Sequence, residues 1–307
     1  MKTNKLITHN GSFHTDDIFA CAALCLKLEK DGERFEIIRT RDEEIIKSGD
    51  FVFDVGGIYD AGKNRFDHHQ AGGAGGRAIL SKSEGQKSIS IEYASCGLVW
   101  KKFGAELSGS QKTADMIDDK LFTPIDAGDN GLDLVVNKYQ TSPYLLQYAM
   151  LSMRPTWREE NLTEDEMFLK SLVIAKEILS REIVQASDAV LAHDLVTNDY
   201  EKSLDKRIII LDKDYPYENT LNVYPEPLYV IYYKKNNDNW NVKALREDPK
   251  TFKNRKDFPK SWAGLRDKEL QKITGVDDAV FCHRGLFLAV AKSKKGAIKL
   301  AQIAVES

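Results

Sequence analysis

Little in these 307 residues points to export, to membranes or to a disulfide framework. No apolar run approaches the roughly 18 residues a membrane-crossing helix needs, so no membrane partner is expected. The first residues, Met1-Lys2-Thr3-Asn4-Lys5, lead straight into a strand-like segment without a signal-peptide core. Cysteine is scarce: Cys21, Cys25, Cys96 and Cys282. None forms a C-x-x-C pair, which argues against a structural zinc site. Cys21 and Cys25 stand four apart in a helical pattern and read as small buried residues on one helix face. A reducing, cytoplasmic compartment is the natural expectation.

Excess positive charge is missing too. Lys and Arg total 44 against 47 Asp and Glu, for a net charge of −3. That excludes a broad basic surface, so any nucleic acid must be handled by a local patch or through metals. The run Ala71-Gly-Gly-Ala-Gly-Gly76 lacks the Gly-Lys-Ser/Thr ending of a phosphate-binding P-loop and reads as a flexible loop. No fixed-period repeat or low-complexity tract is present.

What is there is 42% apolar and 30% charged, the texture of a soluble globular chain long enough for two domains. Lys5 to His9 reads as a buried strand, and Asp16 and Asp17 open a helix to about Lys30. Arg34 to Arg39 is a second strand, Asp42 to Lys47 a short helix, and Asp50 to Gly56 a third strand, apolar enough to be central. This order predicts a parallel sheet with right-handed crossovers, an α/β architecture. Helices are expected near 91–103, 111–122, 142–153 and 163–192. Residues 126–131 read as a turn. The long helix is read as a bridge, with a joint near 190–206. From about Lys206 short strands dominate: Arg207–Leu211, Leu228–Tyr233, Asn239–Leu245, Ala279–Cys282 and Leu286–Val290, with a hairpin turn at Asn236–Asn239 and a closing helix over Lys294–Val305. The expected domains are a metal-binding catalytic domain over 1–195 and a smaller α+β substrate-binding domain over 206–307.

Four of the six histidines lie in the first 69 residues, each near a carboxylate. His9 and His14 accompany Asp16; His68 and His69 follow Asp67. Asp54 ends the predicted central strand, and Asp126 follows a short apolar stretch. Ligands of open parallel sheets bind at the carboxyl ends of strands, so His9, Asp54 and Asp126 should converge on one edge. Singly, each could cap, turn or pack. Together they read as a metal site. Imidazole and carboxylate ligands without thiolate suit manganese, iron, cobalt or zinc better than magnesium or calcium. The candidates outnumber what one ion needs, which points to two divalent ions sharing a carboxylate, the arrangement used for phosphoester hydrolysis.

These stretches resemble the DHH phosphoesterase superfamily, whose naming motif is matched by Asp67-His68-His69. Within it the chain is most similar to the MYG1 family. The resemblance rests on Thr8-His-Asn-Gly-Ser-Phe-His-Thr-Asp-Asp17, Asp54-Val-Gly-Gly57, Arg65-Phe-Asp-His-His-Gln70, Ala94-Ser-Cys-Gly-Leu-Val-Trp100 and Ile125-Asp-Ala-Gly-Asp-Asn-Gly131. It extends to Trp262-Ala-Gly-Leu-Arg266 and Phe281-Cys-His-Arg-Gly285. It implies a DHH-type parallel-sheet domain followed by a smaller α+β domain. It also implies one metal on His9, His14 and Asp54 and another on Asp16, Asp54, His68 and Asp126, with Asp54 bridging. Asp67 would orient His68, and His69 would face the phosphate or leaving group. Arg266, His283 and Arg284 would touch substrate, whereas Trp262 reads as packing. The chain departs from the usual Asp-x-Asp in carrying His14-Thr15-Asp16, which favours softer metals, Mn2+ first. Asp129 competes with Asp126 as a ligand; Asp126 is preferred as nearer the strand end.

The activity implied by the resemblance is a metal-dependent 3′-to-5′ exonuclease on single-stranded RNA or short oligonucleotides. Two alternatives stay open: a phosphatase for pyrophosphate or a small phosphorylated metabolite, and a non-catalytic metal-binding protein. A homo-oligomer also stays open.

Overall fold

The structure, a computed structural model, describes residues 2–79, 89–137 and 139–307. The chain divides into two compact units, Met1–Ser187 and Asp188–Ser307. The first opens as its hydrophobic pattern predicts: β1 (Thr3–Thr8), α1 (Thr15–Lys30), β2 (Arg34–Arg39), α2 (Glu43–Lys47) and β3 (Phe51–Phe53). Two short strands follow, β4 (Tyr59–Asp60) and β5 (Arg65–Phe66). The sheet order is β2-β1-β3-β5-β4. All neighbours are parallel except β4, which runs antiparallel to β5. The carboxyl ends of β1, β3 and β5 therefore emerge on one edge, and the next residues are His9, Asp54 and Asp67.

Helix α1 owes its length to its ends and its burial to its middle. Asp16 and Asp17 sit in its first turn and Lys27 and Lys30 in its last, each complementing the helix dipole. Its centre, Ile18 to Cys25, is buried on every side. Small residues there let α3 (Ser95–Ser108) pack directly against it. Phe13, Phe19, Phe53, Phe66, Phe122 and Phe168 fill the surrounding core, each fully buried. A buried side chain of this size contributes about 1.5–3 kcal/mol.

Three expectations change here. Gly76, expected in a loop, begins a strand: β6 (Gly76–Ile79) pairs antiparallel with β7 (Ile89–Glu92). The stretch read as helical over 111–122 is helical, opening as α4 (Gln111–Ile117). A wider turn over Asp118–Phe122 then feeds α5 (Thr123–Asp129), which has Pro124 in its first turn. So Asp126, expected in a turn at a strand end, lies inside a helix. After α6 (Leu146–Leu151), α7 runs from Glu164 to Lys202. The helix thus occupies most of the stretch expected as a joint, and the division between units falls at Ser187 instead.

The second unit, smaller, is α+β. Its strands are β8 (Ile208–Ile210), β9 (Tyr229–Lys234), β10 (Asn239–Ala244), β11 (Ala279–Cys282) and β12 (Leu288–Ala291), with α8 (Glu218–Leu221), α9 (Asp267–Thr274) and α10 (Lys294–Glu306). The sheet order is β11-β12-β10-β9-β8. β9 and β10 form the expected hairpin, closed by Asp238 at a left-handed φ of 50°. Trp262 is buried against Phe258, a packing residue. Among the described residues no helix is long and apolar enough to cross a membrane.

Candidate metal centre

His9, the residue after β1, is buried and has its Nδ1 3.1 Å from the carbonyl of Asn10. With the proton on Nδ1, Nε2 is left bare, the tautomer a metal ligand needs. That atom lies 3.2 Å from Asp54 Oδ2 and 3.3 Å from Asp17 Oδ2. Asp54 follows β3 at a φ of 53°, a left-handed conformation rare outside glycine. The sharp turn brings its carboxylate back over the sheet edge, and such a posture costs about 1–3 kcal/mol. Gly56 and Gly57, also at positive φ, complete the reversal.

After β5 the chain delivers Asp67, His68 and His69. His68 Nε2 stands 3.4 Å from both Asp54 Oδ1 and Asp129 Oδ2, without hydrogen-bond geometry to either. Asp67 turns away from His68. Its carboxylate meets Nδ1 of His69 at 2.8 Å and accepts the backbone N–H of Gly57 at 2.6 Å. The expectation that Asp67 orients His68 is corrected: its hydrogen bonds go to the ring Nδ1 and the backbone N–H of His69. The His69 ring is 63% exposed.

The first turn of α1 supplies Asp16 and Asp17, both fully buried. Asp16 accepts the N–H groups of Ser95 (3.1 Å) and Cys96 (2.6 Å) at the start of α3, where the helix dipole favours a carboxylate. Asp17 accepts the N–H of His14 through one oxygen and turns the other toward His9. Its place beside His9 went unseen in the sequence, where it reads only as an acid opening α1. His14 is exposed, yet one of its ring nitrogens comes within 4.8 Å of ligand atoms of His9 and Asp54.

Asp126 and Asp129 part company. Asp126 is ion-paired to Arg77 and accepts the N–H of Gly97 at 3.2 Å and the thiol of Cys96 at 3.3 Å. A side chain at Gly97 would fall 1.9 Å from its oxygen, so α3 and α5 meet there with no room to spare. Three residues later, nearly one helical turn on, Asp129 opens toward His68. The structure thus puts Asp129, not Asp126, against the bare imidazole nitrogen. The preference for Asp126 rested on a strand end that is not there. Asp126 can still group with Asp16 and Cys96, but its charge is already met by Arg77.

The electrostatics follow from burial. Burial, together with the charges of Asp54, Asp129 and Asp126, pushes Asp16 far above the carboxylate range. Burial and Asp54 push Asp17 up to about 7. Asp54 goes the other way: burial works against ionisation, but the His68 and His9 imidazoles hold it well below the usual value. His9 and His68 are raised in return, their partnership with Asp54 overcoming burial. This many carboxylates in a buried site, with Asp17 Oδ2 and His68 Nε2 lacking hydrogen-bond partners among the described residues, is what ligands look like when a cation is wanted. Two donor groups share Asp54: one of His9 and His14, the other of His68 and His69; Asp16, His68 and Asp129 form a third. The donor set fits divalent metal.

A cavity of about 500 Å³ opens over these groups, lined by His9, His14, Asp54, His69 and Asp129 and, opposite them, by the guanidinium-bearing Arg41. Nothing in the sequence marks Arg41 beyond its place just after β2. In the second unit, Arg266 lies over the Phe281 ring at 4.3 Å, and the His283 ring packs at a tilt against Phe287, 4.3 Å between centroids, while accepting the N–H of Gly285. Arg284, beside them, is exposed. These three form one cationic edge of their own unit.

Several known proteins are similar to this chain. "MYG1 protein C27H6.8" of Caenorhabditis elegans is 29% identical over 99% of this chain and 96% of its own length. "MYG1 exonuclease" of Bos taurus is 30% identical over 98% of this chain and 84% of its own length. Among solved structures, RecJ in complex with Mn2+ from Thermus thermophilus aligns with 99% of this chain and 52% of that one, at 10% identity and a TM-score of 0.27. A family model for MYG1 exonuclease-type proteins, described as "Uncharacterised protein family (UPF0160)", matches residues 5–305, a span that takes in every residue grouped around Asp54 as well as the cationic edge of the second unit. The chain belongs to the MYG1 family.

Proposed function

We propose that this chain is a metal-dependent phosphoester hydrolase that removes nucleotides from an end of single-stranded RNA or short oligonucleotides, running 3′ to 5′. The observation that carries it is the convergence of His9 and His68 on opposite oxygens of one carboxylate, Asp54. In this reading His9, His14 and Asp54 hold one divalent ion, and Asp16, Asp54, His68 and Asp129 hold a second. Manganese suits the donors best, because His14 stands where a harder ligand would favour magnesium. Such ions supply Lewis-acid polarisation of a phosphoryl group and acidify water.

The chain's own residues do the rest. Asp54 stays ionised between two imidazoles and keeps both donor groups in register. Asp17 turns one carboxylate oxygen toward His9 Nε2, 3.3 Å away, where it adds negative charge for a cation. His69, held by Asp67 through Nδ1, presents Nε2 to the cavity, where it can donate a hydrogen bond to a phosphate oxygen or a proton to the leaving group. Arg266, His283 and Arg284 offer cationic groups suited to phosphate oxygens. The relatives named exonucleases, and the absence of a broad basic surface, favour attack at a flexible end over internal cutting.

The test is to incubate manganese-loaded protein with 5′-labelled single-stranded RNA, single-stranded DNA and pyrophosphate. Stepwise shortening with nucleoside monophosphates released is the expected result. Internal fragments appearing first would overturn the exonuclease reading. Rapid pyrophosphate cleavage without oligonucleotide turnover would replace it with a small-phosphate hydrolase.

A further inference from the structure

Beside the metal cavity lies a second one of about 490 Å³ that the hydrolase reading leaves unused. Its floor is apolar: Val52, Val55 and Ile46, which pack with Ile7 and Ile38 under the edge of the sheet. One wall is Ile58, 56% exposed, a large apolar side chain with no core to enter. The two cavities adjoin: Arg41, Val55 and Gly56 line both. At Gly56 a Cβ would press to 3.1 Å from Ile46 in a backbone posture side chains avoid.

The cations around this groove differ in what they are free to do. Arg65 is spent on the backbone carbonyls of Lys47, Gly49, Lys63 and Asn64. Lys47 is paired with Glu44. Arg41 makes no hydrogen bond or ion pair among the described residues. Among those residues it is also the one arginine or lysine common to both cavities.

We propose that this groove is a nucleoside subsite: Arg41 binds the phosphate of the nucleotide next to the metal centre, and Ile46, Val55 and Ile58 receive its base. The inference rests on the hydrolase reading and adds to it where the base and the phosphate of the bound nucleotide are held. Three features commit the groove to this occupant. An unpaired guanidinium matches a phosphate in charge and geometry. An apolar slot beside it matches a base face, which stacks on aliphatic and guanidinium surfaces without hydrogen-bond readout. The lining shared through Arg41, Val55 and Gly56 places the two at adjoining positions, as phosphate and base are in one nucleotide.

Equilibrium binding of AMP and of inorganic phosphate, measured by calorimetry on calcium-loaded protein to prevent turnover, tests it. Wild type should bind AMP about tenfold or more tighter than phosphate, the contribution of one stacked base. Ile58→Asp, a surface change that spares the fold, should shrink that AMP-to-phosphate ratio toward one. Arg41→Gln should weaken AMP by about tenfold. Equal binding of AMP and phosphate by wild type, or an AMP preference untouched by Ile58→Asp, would overturn the subsite. A parallel assay under manganese compares a dinucleotide with bis-p-nitrophenyl phosphate, a diester without bases. Wild type inert on both sinks the hydrolase reading and leaves the binding result standing. Wild type active on both, with a kcat/KM ratio that Ile58→Asp does not lower, sinks the subsite alone.

Discussion

Asp67 Oδ1 lies 2.8 Å from Nδ1 of His69 and also accepts that residue's backbone N–H at 3.0 Å. The ring is therefore steered toward the cavity by the residue two before it. Replacing His69 by alanine should lower turnover by about 10²–10⁴-fold, the span of a lost proton donor, while metal content stays intact. Asp67→Asn should lower it less and move the pH profile with it. His68→Ala should lose metal instead. Metal analysis beside kcat for each variant separates these outcomes, and equal metal loss at His68 and His69 would refute the division of labour.

Asp54 touches both donor groups, so Asp54→Asn should release both ions together rather than one. Metal content should fall from two equivalents toward none, with activity abolished and the circular dichroism spectrum unchanged. A fully active wild type with one equivalent would exclude the two-ion arrangement.

Asp129 and Asp126 should separate by phenotype. Asp129→Asn should weaken metal binding by about 10–100-fold at near-normal stability. Asp126→Asn should retain metal but lose about 1–3 kcal/mol, because it removes one of the two carboxylates on Arg77, Asp118 being the other, and disturbs a buried hydrogen-bond network with Cys96 and Gly97. Urea unfolding and metal titration of the two variants decide it. Metal loss confined to Asp126→Asn would restore Asp126 as the ligand.

Metal-free protein should lose stability as pH rises from about 5 to about 8. Asp17, up at about 7, stays protonated in the fold after the unfolded chain has ionised, so the unfolded state gains on it across this window. Asp126, up at about 6, does the same lower down. His9 and His68 act in the same direction: their raised values stabilise the fold at acid pH, and that contribution is lost as pH rises through them. His14, lowered by burial and by Arg154, works against them. Asp54 contributes below this window, where its depressed value separates from the ordinary one. Melting temperatures in chelator should fall with pH, and manganese should recover more at the alkaline end, since binding displaces protons. A flat or rising profile in chelator would contradict the buried-carboxylate account.

Much of this was legible in the sequence where one residue type does one job. β2 runs from Arg34 to Arg39 as read, and the gathering of His9, Asp54 and the Asp67 triplet follows from three parallel strands ending on one edge. What escaped reading depends on direction rather than position. Asp126 and Asp129 are both acids near an apolar stretch; only the helical phase of α5 sends one to Arg77 and the other to His68. Asp17 read only as an acid opening α1. Arg41 and Arg77 carry no local signal, because what surrounds them comes from segments distant in sequence. The end of α7 was misplaced because a polar, charged surface turn of helix and a polar linker share a composition.

The left-handed backbone at Asp54 sets stability and function against each other at a single codon. Glycine would relax that conformation, yet it would also strip His9 and His68 of the carboxylate they face. Backbone comfort and side-chain charge therefore pull on this position in opposite directions, and Asp54→Gly should be inactive whichever of the two its melting temperature follows.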